Sequence, residues 1–144
     1  MAKVQYYIHT LEEVILVLST GSYDLTMTRQ YISDLKREVE KVCHGQWAIL
    51  CVLGQQTLNT ADSEAEWQQV MEYTKQKGMT CTAIVNANIV MEDQFHRMNQ
   101  PLDAPFGYFS DLDQALLWMK SRGFSLSKSR ITPYFVSPWK EELL

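Results

Sequence analysis

The side chains able to carry acid–base, nucleophilic or metal chemistry are few and scattered. His9, His44 and His96 fall in three separate expected elements. Cys43 and His44 are adjacent, and adjacent residues of a helix do not face a common point, so the pair reads as polar residues at a helix end rather than as metal ligands. Glu92 and His96 share a helix face at i,i+4, but a zinc hydrolase needs His-Glu-x-x-His, which is absent, and a solvated pair accounts for them. Asp111 and Asp113 have the spacing of paired acids, yet capping of a helix start explains them better. There is no Gly-x-Ser-x-Gly elbow and no glycine-rich phosphate loop. The expectation is therefore no catalytic residue, no metal site and no cofactor. One stretch is rich in groups suited to recognition: Gln55, Gln56, Thr57, Asn59 and Thr60 lead into Asp62 and Ser63. Loops on a rigid sheet are common recognition sites, so a binding surface is expected there, with Thr60 and Ser63 as candidate phosphoacceptors. Ordinary turn chemistry followed by an N-cap at Asp62 or Ser63 accounts for the same residues.

The rest of the chain must position that loop. Its 144 residues suit one domain, and a net charge of −4 argues against a nucleic-acid surface. The three cysteines are odd in number and form no C-x-x-C pair; Cys51 and Cys81 lie in apolar runs and read as small buried hydrophobes. A reducing compartment, hence the cytoplasm, is expected. The apolar run at residues 14–18 is too short for a leader and follows Glu12 and Glu13, and no run approaches the ~20 residues of a membrane span.

Residues 4–8 and 13–19 read as an antiparallel hairpin, broken at Gly21. Asp24 is the expected N-cap of a helix with Tyr31, Ile32, Leu35, Val39 and Val42 on its apolar face, an i,i+4 pair of Lys36 with Glu40, and Gly45 in a left-handed terminal position. The continuous apolar run Trp47–Leu53 predicts a central strand covered on both faces. A polar loop over 54–61 precedes a helix over 62–77 carrying Trp67, Val70, Met71 and Thr74, closed by Gly78. A second central strand covers 80–85, and a weaker helix follows through Met91, Phe95 and Met98. Phe106–Phe109 is a short strand. Ser110 to Asp113 resembles a capping box, opening a helix through Leu112, Ala115, Leu116 and Met119 that Gly123 stops. Residues 1–123 are read as the domain. Residues 124–144 lack periodicity but keep Phe124, Tyr134, Phe135 and Trp139, so this extension is expected to dock on its own domain or to make a homodimer.

The order β-β-α-β-α-β-α-β-α predicts an α/β fold on a small mixed sheet, mostly parallel with one antiparallel strand. The loops 20–24, 54–62 and 86–88 should then gather beyond the carboxyl ends of the strands, where ligands bind in such sheets. Together, the hairpin leading into a long helix past Gly21 and Asp24, the strand Trp47–Leu53 with its polar loop, Glu66-Trp67 ahead of the strand at 81–85, and Tyr108-Phe109-Ser110-Asp111 followed by Asp113, Ala115, Leu116 and Trp118 form a pattern. On these features, across about residues 3–123, the chain resembles the STAS superfamily in its SpoIIAA-like branch of small single-domain bacterial proteins. The resemblance implies helices packed on a sheet, and regulatory or binding roles more often than catalysis. Anti-sigma-factor antagonists of that superfamily carry a phosphorylatable serine in Asp-Ser-Ser/Thr-Gly; here the region reads Leu58-Asn59-Thr60-Ala61-Asp62-Ser63-Glu64, which departs from it after Asp62-Ser63. A non-enzymatic regulatory domain with a protein partner is expected. The alternative is a carrier or sensor of a small apolar ligand, since a sandwich with 7 methionines and many aromatics can open a lined pocket.

Overall fold

A computed structural model describes residues 6–54, 58–100 and 105–136. The chain opens on a hairpin of β1 (Tyr6–Leu11) and β2 (Val14–Ser19), antiparallel, with Leu11 opposite Val14. Only Glu12 and Glu13 make the turn, and Glu12 takes a left-handed φ of +55°. A two-residue connection matches the twist of paired strands, so β1 runs on to Leu11 rather than ending at Ile8. β2 then pairs in parallel with β4 (Trp47–Leu53), β4 with β6 (Met79–Val85), and β6 with β7 (Phe106–Phe109). The sheet order is β1-β2-β4-β6-β7, a mixed, mostly parallel sheet with one antiparallel edge strand.

Side chains alternate between the two faces of a strand, and both faces here are covered. Val14, Leu16 and Leu18 of β2, with Ala48, Leu50 and Val52 of β4, meet Ala115 and Met119 of α4 (Leu112–Ser121). Ile15, Val17, Trp47 and Ile49 point the other way, onto Tyr31, Leu35 and Val39 of α1 (Leu25–Val42) and Val70 of α2 (Glu64–Gln76). Every residue of β2 is buried, which is why its sequence runs apolar without alternation. α3 (Ile89–Asn99) packs Met91 against Leu53 and Ile84.

Helix ends follow their capping chemistry, with exceptions set by neighbours. The Asp24 carboxylate accepts from the Met27 N–H at 2.8 Å. Asp24→Ala should cost about 1 kcal/mol, read as a lower urea midpoint at unchanged m-value; an unchanged midpoint would refute the cap. Gly45 does not take the expected left-handed conformation. The helix stops at Val42 with Cys43 already at φ −74°, ψ 12°, so the chain has turned before Gly45 is reached. Gly78 and Gly123 do adopt positive φ, +93° and +99°, just beyond α2 and α4. The Lys36–Glu40 pair is replaced by contacts across to α2. Glu40 accepts from Tyr73 Oη at 3.1 Å and lies 3.6 Å from Lys77 Nζ, while Lys36 sits 4.9 Å over the Tyr73 ring. At α4 the cap is Asp111, bonded to the Gln114 N–H at 2.8 Å, so the helix starts one residue later than a box beginning at Ser110 would have it.

Beyond Gly123 the chain returns to the sheet. Phe124, Leu126 and Ile131 join the core facing α4, the last from α5 (Lys128–Val136). α5 is held at its rim by Arg130 with Glu12 at 2.6 Å and by His9 stacked on Tyr134 at 4.3 Å. Phe124 is only 4 % exposed, so it is committed to its own fold and offers no surface for a second copy. The side chain of Phe135, and Trp139, lie outside the described residues. No helix among the described residues is long and apolar enough to cross a membrane.

Candidate functional site

At the carboxyl ends of β2 and β4 the chain builds a second, smaller ribbon. After β2, Gly21 at φ +77° turns the backbone into β3 (Ser22–Tyr23), which pairs in parallel with β5 (Leu58–Asn59). What reads in sequence as one uninterrupted polar loop over 54–61 therefore contains a strand, followed by a 3-10 turn, Ala61–Ser63. The ribbon is tied at both ends: the Gly54 N–H donates to the Ser19 carbonyl at 2.6 Å, and the Thr60 N–H to the Tyr23 carbonyl at 3.0 Å. Thr60 Oγ1 lies 3.1 Å from the Tyr23 carbonyl oxygen and 2.5 Å from Asp62 Oδ1.

Of the residues singled out in sequence, Gln55, Gln56 and Thr57 lie outside the described residues. Asn59 is half-buried in β5, and Thr60 and Asp62 are exposed. Ser63 is fully buried, and its hydroxyl donates to the Thr60 carbonyl at 2.7 Å, so in this conformation it is closed to a kinase. Neither Asp62 nor Ser63 caps α2 through its side chain. Ser63 sits in helical geometry at the end of the 3-10 turn and bonds backwards, and the Asp62 carboxylate is occupied by Thr60. At the same end of the sheet Asn88 caps α3 through the Met91 N–H at 2.8 Å. Glu64 ties the start of α2 to the later half of α3, accepting from Gln94 and Arg97 at 3.3 and 3.1 Å; the Arg97 guanidinium holds that carboxyl below its usual range.

Behind the ribbon lies a pocket of about 80 Å³, lined by the β4 and β6 face of the sheet and by α1, α2 and α3. Tyr23 and Asn59 of the ribbon, Tyr31, Trp67 and Cys51 stand in its wall. Tyr31 and Tyr23 pack against Trp67, with ring centroids 4.8 and 6.0 Å away. Tyr23 Oη donates to Ser19 Oγ at 3.0 Å, and burial pushes its phenol far above the ordinary value. Burial likewise pushes the Cys51 thiol up to about 12. Among the described residues the buried Trp67 indole N–H has no hydrogen-bond partner. The abundance of methionine and aromatics hinted at such a pocket, but its place depends on how three helices meet one sheet face.

The histidines stay apart. His9 stacks on Tyr134, and His96 lies 3.8 Å from Glu92 on the surface and 4.7 Å from the Tyr108 ring. Among the described residues no group of three His, Cys, Asp or Glu side chains could hold a metal ion. The three cysteines are free.

No protein-family model matches the chain, and no curated protein matches it in sequence. Solved structures match it in fold. An uncharacterized protein of the DUF3478 family from Shewanella loihica PV-4, described as having a SpoIIAA-like fold, superposes with a TM-score of 0.58 at 14% identity, over 82% of this chain and 98% of that one. The Bacillus cell fate determinant SpoIIAA, in its phosphorylated form, gives a TM-score of 0.50 at 10% identity over 79% of this chain and 98% of that one. The fold of this chain is SpoIIAA-like.

Proposed function

We propose that this SpoIIAA-like chain is a non-catalytic regulatory domain that binds a protein partner through the surface formed by Asn59, Thr60 and Asp62. The carrying observation is the β3–β5 ribbon, which fixes these polar side chains on a rigid base at the carboxyl end of the sheet. A surface held in place loses little conformational entropy on binding, which favours recognition. The structural likeness to a cell fate determinant that exists in a phosphorylated form supports a regulatory role. Thr60 is the phosphoacceptor that this role retains, because its side chain is exposed whereas the Ser63 hydroxyl is buried. A phosphate on Thr60 would meet the Asp62 carboxylate now 2.5 Å from the hydroxyl, and the repulsion would reshape the tip of the ribbon.

Affinity capture from cell lysate with the tagged full chain, quantified by mass spectrometry, tests this. Asn59→Ala/Thr60→Ala should lower recovery of the partner about tenfold, a loss of roughly 1.4 kcal/mol. Equal recovery by a double variant with an unchanged melting curve would sink the proposed surface. Turnover in a hydrolase or transferase panel, abolished by one substitution, would overturn the non-catalytic role.

A further inference from the structure

We infer that the free edge of β1 is a homodimer interface, at which β1 of one copy pairs antiparallel with β1 of a second copy about a two-fold axis at Ile8, joining the two sheets into one. The partner is a second copy of this chain, and the contact uses none of Asn59, Thr60 or Asp62.

The backbone comes first. Glu13 and Ser19 direct their carbonyls away from β1: the Ala48 N–H donates to Glu13 at 3.0 Å and the Gly54 N–H to Ser19 at 2.6 Å. Backbone groups of successive strand residues point to alternate neighbours, so Val14, Leu16 and Leu18 face β1, where they lie opposite Leu11, His9 and Tyr7. The N–H and C=O groups of Tyr6, Ile8 and Thr10 therefore point outward, and among the described residues β1 pairs with β2 alone. Such a row of groups is a template for another strand, and edges are commonly guarded by charge, proline, a bulge or brevity. The six residues Tyr6–Leu11 include no Asp, Glu, Lys, Arg or Pro, and they pair with β2 without a register shift. The opposite edge, β7, has only four residues.

The order of side chains selects a second copy. A two-fold axis through Ile8, normal to the sheet, sets Ile8 opposite Ile8, Tyr6 opposite Thr10 and Tyr7 opposite His9. All three outward residues then exchange both of their backbone bonds. Every cross-strand pair joins aromatic or β-branched side chains, the favourable classes. Tyr7 of each copy extends a row of rings already present, Tyr7 with His9 at 6.2 Å and His9 with Tyr134 at 4.3 Å. A one-residue slip would bring side chains of the α1 face against those of the α5 face. Moving the axis to His9 sets Tyr6 opposite Glu12, whose φ of +55° ends the strand, and moving it to Tyr7 takes Thr10 beyond Tyr6 of the other copy. Beside the edge, α1 presents Asp34 and Glu38, bonded to Tyr6 and Thr10 and paired with Arg37 and Lys41 of the same helix. These four charges sum to zero, so the rim does not repel its own copy.

Sedimentation equilibrium of the full chain, with residue-resolved amide exchange by NMR, tests the interface. The chain should sediment at twice its formula mass. Ile8→Pro removes only an outward N–H and keeps the β1–β2 ladder, so it should be monomeric with the His9 and Leu11 amides still protected. Its Thr10 amide should exchange about tenfold or more faster than in the wild type. Thr10→Pro, read at the Ile8 amide, serves if Ile8→Pro does not fold. A monomeric wild type overturns the interface, and if its Ile8 and Thr10 amides are protected, another segment of the same chain covers the edge. A dimer whose Ile8 and Thr10 amides exchange freely, or one that survives in a folded proline variant, overturns it equally.

Discussion

Trp47→Ala is expected to lower the stability of the chain by about 3–5 kcal/mol. Trp47 opens the central strand β4, is fully buried, and faces α1 and α2. Its indole N–H donates to the Lys77 carbonyl at 2.8 Å, tying the end of α2 to the strand. Gly78 follows immediately at φ +93° and turns the chain into β6, whose Met79 pairs with Trp47 just before the register shifts between Trp47 and Ala48. Truncation therefore removes a large apolar volume and leaves the Lys77 carbonyl without its donor. A loss of about 4 kcal/mol is a large part of the roughly 5–15 kcal/mol that holds a domain together, and should lower Tm by roughly 10–15 °C. Trp47→Phe separates the two contributions: the ring volume is mostly kept, and the cost should fall to about 1–2 kcal/mol for the hydrogen bond. Urea unfolding measures both. A loss below about 1 kcal/mol for Trp47→Ala would show that this corner of the core collapses to fill the space.

Ile131→Ala should cost about 2–5 kcal/mol, the range for a fully buried isoleucine. The value of this variant lies in where Ile131 sits. It comes from α5, beyond the glycine that ends the periodic part of the sequence, and reaches the same core as Leu16, Leu50 and Met119. If α5 is an integral part of that core, the urea midpoint falls by an amount typical of central positions, and unfolding stays a single transition. Leu117→Ala is the matched control, since Leu117 on α4 is 69% exposed and should change stability by no more than about 0.5 kcal/mol. Equal, small effects from the two variants would show α5 to be a loose appendage. The outcome also bears on self-association: a chain cut at Gly123 loses Phe124, Leu126 and Ile131 from its own core, so aggregation of such a fragment reports exposed core rather than a lost dimer interface.

Much of the architecture is legible in the sequence because it depends on near neighbours. Trp47–Leu53 and Phe106–Phe109 are strands at the predicted limits, since unbroken apolar runs of that length between glycines, prolines and polar residues have few other solutions. The Asp24 cap and the left-handed Gly78 and Gly123 involve groups within a few residues of each other, and local chemistry decides them. The alternation of strands and helices after an opening hairpin was enough to infer a mostly parallel sheet with one antiparallel member. The polar stretch around Thr60 was equally visible.

What that stretch does was decided by tertiary structure. β3 and β5 are two residues each, too short to show any period, and they exist because residues 37 positions apart, Tyr23 and Thr60, are brought together by the parallel sheet beneath them. That pairing turned Ser63 inward and left Thr60 outside, a distinction no local rule draws between two neighbouring hydroxyls. Lys36 and Glu40 found partners on α2 instead of each other, because contacts supplied by packing outweighed an i,i+4 pair worth only a few tenths of a kcal/mol. α5 escaped the helical pattern because Pro133 interrupts it, and burial of Ile131 compensates for what propensity withholds. The cavity beside Trp67 is the extreme case. Its walls come from six strands and three helices, and its volume is what remains where their side chains do not meet, a quantity set by packing across the whole fold.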